Sequence, residues 1–216
     1  MKRLLFILAL LFVACNSSKT TDTILAEVWE KDQSIRLRMM ELTKAISVDG
    51  RTDLIDSLVS VVDYQQRIDE ENMAVVDSLL QRGLPAGLSA ESYKTIWIVI
   101  DHASLGKQEQ YLPIVEQMSL DGLIDKDEYA ILCDRVAMKQ NRPQRYGSQV
   151  VQFGPVDALQ LYLWPVENPA ELDSLRASVG LSPIAEYLNQ VSDESGTEVK
   201  YEPKITVEEI NAMRNK

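Results

Sequence analysis

The chain has one histidine, His102, and two cysteines in 216 residues. A single imidazole excludes any site built on two or more histidines of one chain, which covers most catalytic zinc centres. Two cysteines cannot form a disulfide scaffold. Positive charge is scarce as well: 22 Lys and Arg face 33 Asp and Glu, the formal net charge is -11, and no basic run interrupts the acidic trend. No nucleic-acid partner is expected from such a surface. Glycine-rich phosphate loops, paired-glycine dinucleotide fingerprints and Gly-x-Ser-x-Gly elbows are missing, and Ser148 follows Gly147 without the second glycine. No cofactor and no metal are expected. What is present is an ordinary globular mixture, 45% hydrophobic and 25% charged, sufficient for one domain with a sizeable core.

The N-terminus carries an export signal. Lys2 and Arg3 precede an apolar run from Leu4 to Val13, and the small residue Ala14 precedes Cys15. That run is too short to span a membrane and reads as a secretory leader. Its end, Phe12-Val13-Ala14-Cys15, resembles a bacterial lipobox, with Phe where Leu is usual. The resemblance implies acylation of Cys15 and, since Asn16 is not the Asp of inner-membrane retention, a place in the bacterial cell envelope at the outer rather than the inner membrane. Cleavage before Cys15 would leave 202 residues, and losing Lys2 and Arg3 takes the charge from -11 to -13. The expected organisation is a leader over 1–14, a lipidated tether over 15–22, one helical domain over 23–191 and a loosely held polar tail over 192–216. With Cys15 lipidated, Cys133 has no partner, and its run Tyr129-Ala130-Ile131-Leu132-Cys133 marks it as buried apolar filler.

Helical periodicity dominates the mature chain. Leu25, Val28, Trp29, Ile35, Met39, Leu42 and Ile46 recur mostly at steps of three and four, with Asp32 breaking the stripe. Thr52 or Asp53 caps a stretch reaching Gly83 that fits one helix or two. Ser89 caps a third helix, apolar on every side from Ile96 to Ile100 and therefore buried. A fourth covers about Lys107 to Leu120, and Asp125 caps a fifth to about Gln140. Then the period changes to two, over Gln149 to Phe153 and Leu159 to Trp164, which fits a β hairpin. Asn168-Pro169 and Ser182-Pro183 open the last helices. The fold class expected is mainly α, six or seven helices with one small hairpin after the fifth.

Between the fourth and fifth helices, Gln117 to Glu128 matches the second half of a calcium-binding EF-hand loop. Position one is Gln117, an amide where calcium needs a charged oxygen, so a helix-turn-helix is expected instead.

The segment from Ile96 to Gln149 carries Asp101-His102-Ala103, Gln108-x-x-Tyr111-Leu112-Pro113, Asp134-Arg135 and Gln144-x-Tyr146-Gly147-Ser148-Gln149. In this it resembles the bacterial domain-of-unknown-function family 6624. Asp32-Gln33-x-x-Arg36, Pro165 to Pro169, Arg176, Val179-Gly180-Leu181 and Glu186-Tyr187-Leu188 extend the resemblance over about Asp32 to Leu188. Ser104 stands where Asp is usual, Asp101 where Gln is common, and Leu175-Arg176 where two arginines are expected. The resemblance implies an architecture and names no reaction.

Polar residues in apolar surroundings need partners, so His102, Asp134, Arg135, Gln108, Gln144, Tyr146 and Gln149 are expected to meet in one cluster. The first expectation is a satisfied network docking the hairpin on the helices. The alternative is a site: His102 as general base oriented by Asp134, Arg135 gripping an anion, and Gln108, Gln144, Tyr146 and Gln149 reading polar groups. No activated nucleophile is evident, so binding of an envelope protein partner or a small polar ligand is favoured over a hydrolase; a purely structural envelope component is the third possibility.

Overall fold

The computed structural model describes residues 19–155 and 158–214. The leader and Cys15 lie outside the described residues, and among the described residues no helix is long and apolar enough to cross a membrane. The Thr20 hydroxyl accepts the Thr23 N–H at 3.2 Å and starts α1, Thr21–Ser47. A 3-10 turn, Thr52–Leu54, leads into α2, Ile55–Leu80, so the stretch that fitted one helix or two is a single one. α1 and α2 run antiparallel, with Leu42, Ile46 and Leu58 joining them at one end. At the other end Leu25, Val28, Val76 and Leu80 enter the main core.

That core forms around α3, Ala90–His102, whose Ile96, Trp97, Val99 and Ile100 are all buried, as a helix apolar all round requires. α4, Leu105–Leu120, and α5, Lys126–Lys139, close it through Tyr111, Val115, Met118, Leu132 and Val136. Between them Glu128, the twelfth residue of the EF-hand-like stretch, accepts the Asp125 N–H at 3.0 Å, and Gln117 donates to Asp121 at 2.8 Å. These side chains cap and brace a helix-turn-helix. Cys133 is half-buried and free, less enclosed than an apolar filler would be.

β1, Val150–Phe153, pairs antiparallel with β2, Gln160–Leu163, placing Val151 opposite Tyr162. After α6, Leu172–Ser178, and α7, Ile184–Ser195, the chain adds β3, Val199–Lys200, parallel to β2. α6 starts three residues after Pro169, because Asn168 to Glu171 first form a turn in which Glu171 donates to the Asn168 carbonyl. The architecture is mainly α as expected, with eight helices among the described residues, and the hairpin gains a third strand.

The tail beyond 192 corrects the expectation of a loose end. Thr206 and Glu209 form a reciprocal cap, Thr206 N–H to Glu209 Oε2 at 2.9 Å and Glu209 N–H to Thr206 Oγ1 at 3.2 Å, opening α8, Val207–Arg214. Val207 and Ile210 are buried against Val151, Tyr162 and Trp164, forming a second small core under the sheet. Burying an isoleucine contributes about 1.5–3 kcal/mol, enough to hold a two-turn helix in place.

Candidate functional site

The single histidine closes α3, and its partner lies on α1. His102 Nδ1 is 3.0 Å from Asp32 Oδ1. Asp32 is the residue that breaks the apolar stripe of α1, and at 1% exposure its carboxylate must be satisfied inside the protein. Arg36, one turn on, donates to Asp32 Oδ1 at 2.9 Å, and Gln33 donates to Oδ2 at 2.7 Å. The other arm of Arg36 donates to Asp69 of α2 at 2.8 Å, and Gln65 also donates to Asp69, at 3.2 Å. Burial raises the Asp32 carboxyl, but the hydrogen bond and charge of His102, the charge of Arg36 and the Gln33 amide together hold it below its ordinary value. Asp32 is thus an ionised acceptor, so the bridging proton sits on Nδ1, and Nε2 has no hydrogen-bond partner among the described residues. His102 lines an open cleft of about 570 Å³, shared with Asp69, Glu70, Asp77, Ser104 and Lys107. Asp77 accepts from Lys107 at 2.6 Å and from the Tyr111 hydroxyl, whose pKa burial and Asp77 push up to about 12.

Asp134 does not orient His102. Its carboxylate takes the N–H groups of Arg145, Tyr146 and Ser148 at 2.8, 3.0 and 3.0 Å, and the Ser148 hydroxyl at 2.9 Å. The loop is held from its other side too. Arg176, 1% exposed, donates to the carbonyls of Tyr146, Gly147 and Ser182 at 2.8, 3.0 and 2.6 Å, and Tyr187 donates to the Ser148 carbonyl at 2.6 Å. Gln144 pairs with the backbone like a strand neighbour, donating to the carbonyls of Gln149 and Trp164 and accepting the Gln149 N–H at 2.8 Å. Gln149 donates to Ser148 Oγ at 3.1 Å. Gly147 has φ +66, a conformation that favours glycine, and a Cβ there would crowd the Leu172 and Ile184 side chains at 3.3 Å. Tyr146 is partly buried, with the Arg145 guanidinium 5.6 Å from its ring centre.

Arg135 joins a third group. Its Nε donates to Asp101 at 2.8 Å, Gln108 donates to the Asp101 carbonyl, and Lys139 donates to the Ala103 carbonyl at 2.8 Å. Gln108 is fully buried, and its Oε1 has no hydrogen-bond partner among the described residues. The single cluster expected from the sequence is therefore three. One is the His102–Asp32–Arg36–Asp69 network across α1, α2 and α3; one is the Asp101 tie of α3 to α5; and one is the clamp on residues 144–149, which docks the sheet. Of the proposed site residues only His102 reaches the cleft. Sequence reasoning missed Asp69, which belongs to no motif; its only signal is the helical spacing from Gln65.

Asp32, Asp69 and His102 bring three ligand-type atoms within 4.8 Å of one another. Arg36 already bridges the two carboxylates, so a cation would have to displace a guanidinium that satisfies both.

Mainly α, with one carboxylate-held histidine at a cleft and a loop clamped under a small sheet, the molecule belongs to a class its motifs delimit. Residues 21–200 match the model of a family of unknown function, DUF6624, and the chain belongs to that family. No match was found among curated proteins or among solved structures.

Proposed function

We propose that this is a lipid-anchored protein of the bacterial cell envelope, held at the outer membrane through acyl groups on Cys15, whose cleft at the end of α3 binds a small polar ligand. The observation that carries the ligand reading is His102 itself. Its Nδ1 is fixed by a buried carboxylate, yet the ring lines an open cleft, its side chain 16% exposed instead of sealed in a structural network. Asp69, Glu70 and Asp77 outnumber Lys107 along the cleft, which favours a ligand offering hydrogen-bond donors or positive charge. The anchor rests on the leader sequence, and two acyl signals give durable membrane attachment where one does not.

Native mass spectrometry of the full chain released from membranes in detergent is expected to show a small-molecule adduct that His102→Ala loses. An adduct equally retained by the variant, or none in either protein, overturns the ligand reading. Detergent phase partitioning separates the anchor: Cys15→Ser is expected in the aqueous phase, and equal partitioning with the wild type overturns acylation.

A further inference from the structure

We propose that Ser104 is a nucleophile served by His102, and that the cleft hydrolyses an uncharged or cationic ester. Four features of the structure meet here. Asp32, buried and ionised, accepts from Nδ1 of His102 at 3.0 Å, and Nε2 is left without a hydrogen-bond partner among the described residues, the orientation a carboxylate gives a catalytic histidine. Ala103 and Ser104 are both extended, with ψ of 175 and 155, so α3 ends at His102 and α4 begins directly after Ser104. His102 and Ser104 both line the cleft, and their Cα atoms, two virtual bonds of about 3.8 Å apart, lie within ~7.6 Å. Ser104 is the N-cap residue of α4, yet its hydroxyl makes no capping hydrogen bond and is free to react.

The α4 N-terminus supplies the last element. Its capping hydrogen bonds begin at the N–H groups of Lys107 and Gln108, both donating to the Ser104 carbonyl, so those of Leu105 and Gly106 are left for a ligand. No acidic side chain occupies the first turn, and Gly106 has open space where a Cβ would stand, so a reacting oxygen can approach the backbone closely. Negative charge developing on a carbonyl oxygen would be stabilised by these donors and by the helix dipole.

In the reaction Ser104 Oγ bonds to the ester carbonyl carbon while its proton passes to His102 Nε2. The carbonyl–alkoxy bond breaks, and the leaving alkoxide takes that proton as an alcohol. Water, deprotonated by the same nitrogen, then attacks the acyl group and returns Ser104 Oγ–H with a free carboxylic acid. Asp32 acts through His102 and is a positioning residue. The acidic flank of the cleft disfavours anionic esters.

This inference rests on the reading of the cleft as a ligand site, and a covalent probe separates the two. The detergent-solubilised full chain is treated with an uncharged fluorophosphonate, and the adduct is located by peptide mass spectrometry. Labelling is expected at Ser104, with fluoride released, lost on heat denaturation and absent in Ser104→Ala, which removes no side-chain hydrogen bond and so folds. His102→Gln, with folding checked by circular dichroism, is expected to label at least 100-fold more slowly. No label on the folded wild type, a label at another residue, or an unchanged rate in folded His102→Gln overturns the proposal. A native adduct that persists without labelling removes the nucleophile and leaves the binding site standing.

Discussion

Replacing Asp32 with Asn tests the network that places His102. The substitution keeps the shape of a side chain 1% exposed but removes its charge and turns one acceptor into a donor. Three hydrogen bonds depend on the carboxylate, from Arg36, His102 and Gln33 at 2.9, 3.0 and 2.7 Å. Hydrogen bonds to charged groups contribute about 1.5–3 kcal/mol each, and breaking a buried pair costs about 3–5 kcal/mol. Arg36 keeps Asp69 and is partly exposed, so the lower part of that range applies, about 2–4 kcal/mol at neutral pH. The pH dependence has a definite sign. Asp32 is depressed in the folded state, so its stabilisation is complete above the unfolded carboxyl value of about 3.9 and is lost as pH falls through the lower folded value. Urea unfolding followed by far-ultraviolet circular dichroism, at pH 7 and again at about pH 3, should therefore show a gap between wild type and Asp32→Asn that narrows in acid. A gap below about 0.5 kcal/mol at pH 7, or one of equal size at both pH values, refutes the account.

Two further substitutions test the clamp and the tail. Arg176→Met strips three backbone carbonyls of their donor and should cost about 3 kcal/mol in urea unfolding; a loss under about 0.5 kcal/mol would contradict the clamp. Ile210→Ala should cost about 3 kcal/mol by the same measurement, because it opens a cavity at a fully buried position, and a loss under 0.5 kcal/mol would mean that α8 is not docked.

The sequence shows its helices through periodicity and caps, which are local properties. α3 was legible because five consecutive apolar residues leave no solvent face, and α5 because Asp125 stands before a helical stripe. α8 carries an equally local signal, Thr206-Val207-Glu208-Glu209, and its short polar surroundings conceal how two residues, Val207 and Ile210, suffice to dock it. The site was less legible, for a geometric reason. Adjacent helical residues point about 100° apart, so a dipeptide motif need not serve one place. Asp134 and Arg135 face different elements, the loop and α3, and Asp101 and His102 likewise turn to α5 and α1. Treating each pair as a unit merged three clusters into one. Asp69 could not be found because its partner Arg36 lies on another helix, and nothing in the chain between them encodes the crossing.

The parallel pairing of β3 with β2 carries a consequence for how the chain matures. α1 through α5 assemble chiefly from neighbours in sequence, contacts that form early and quickly. The sheet is different: Leu161 meets Val199 only after all of α6 and α7 have been made, and the second core waits for Val207 and Ile210. A chain emerging amino end first therefore presents a nearly finished helical body while β1 and β2 still expose Val151, Tyr162 and Trp164. Those apolar side chains are the surface a holding chaperone would meet, and they close only once Val207 and Ile210 are delivered.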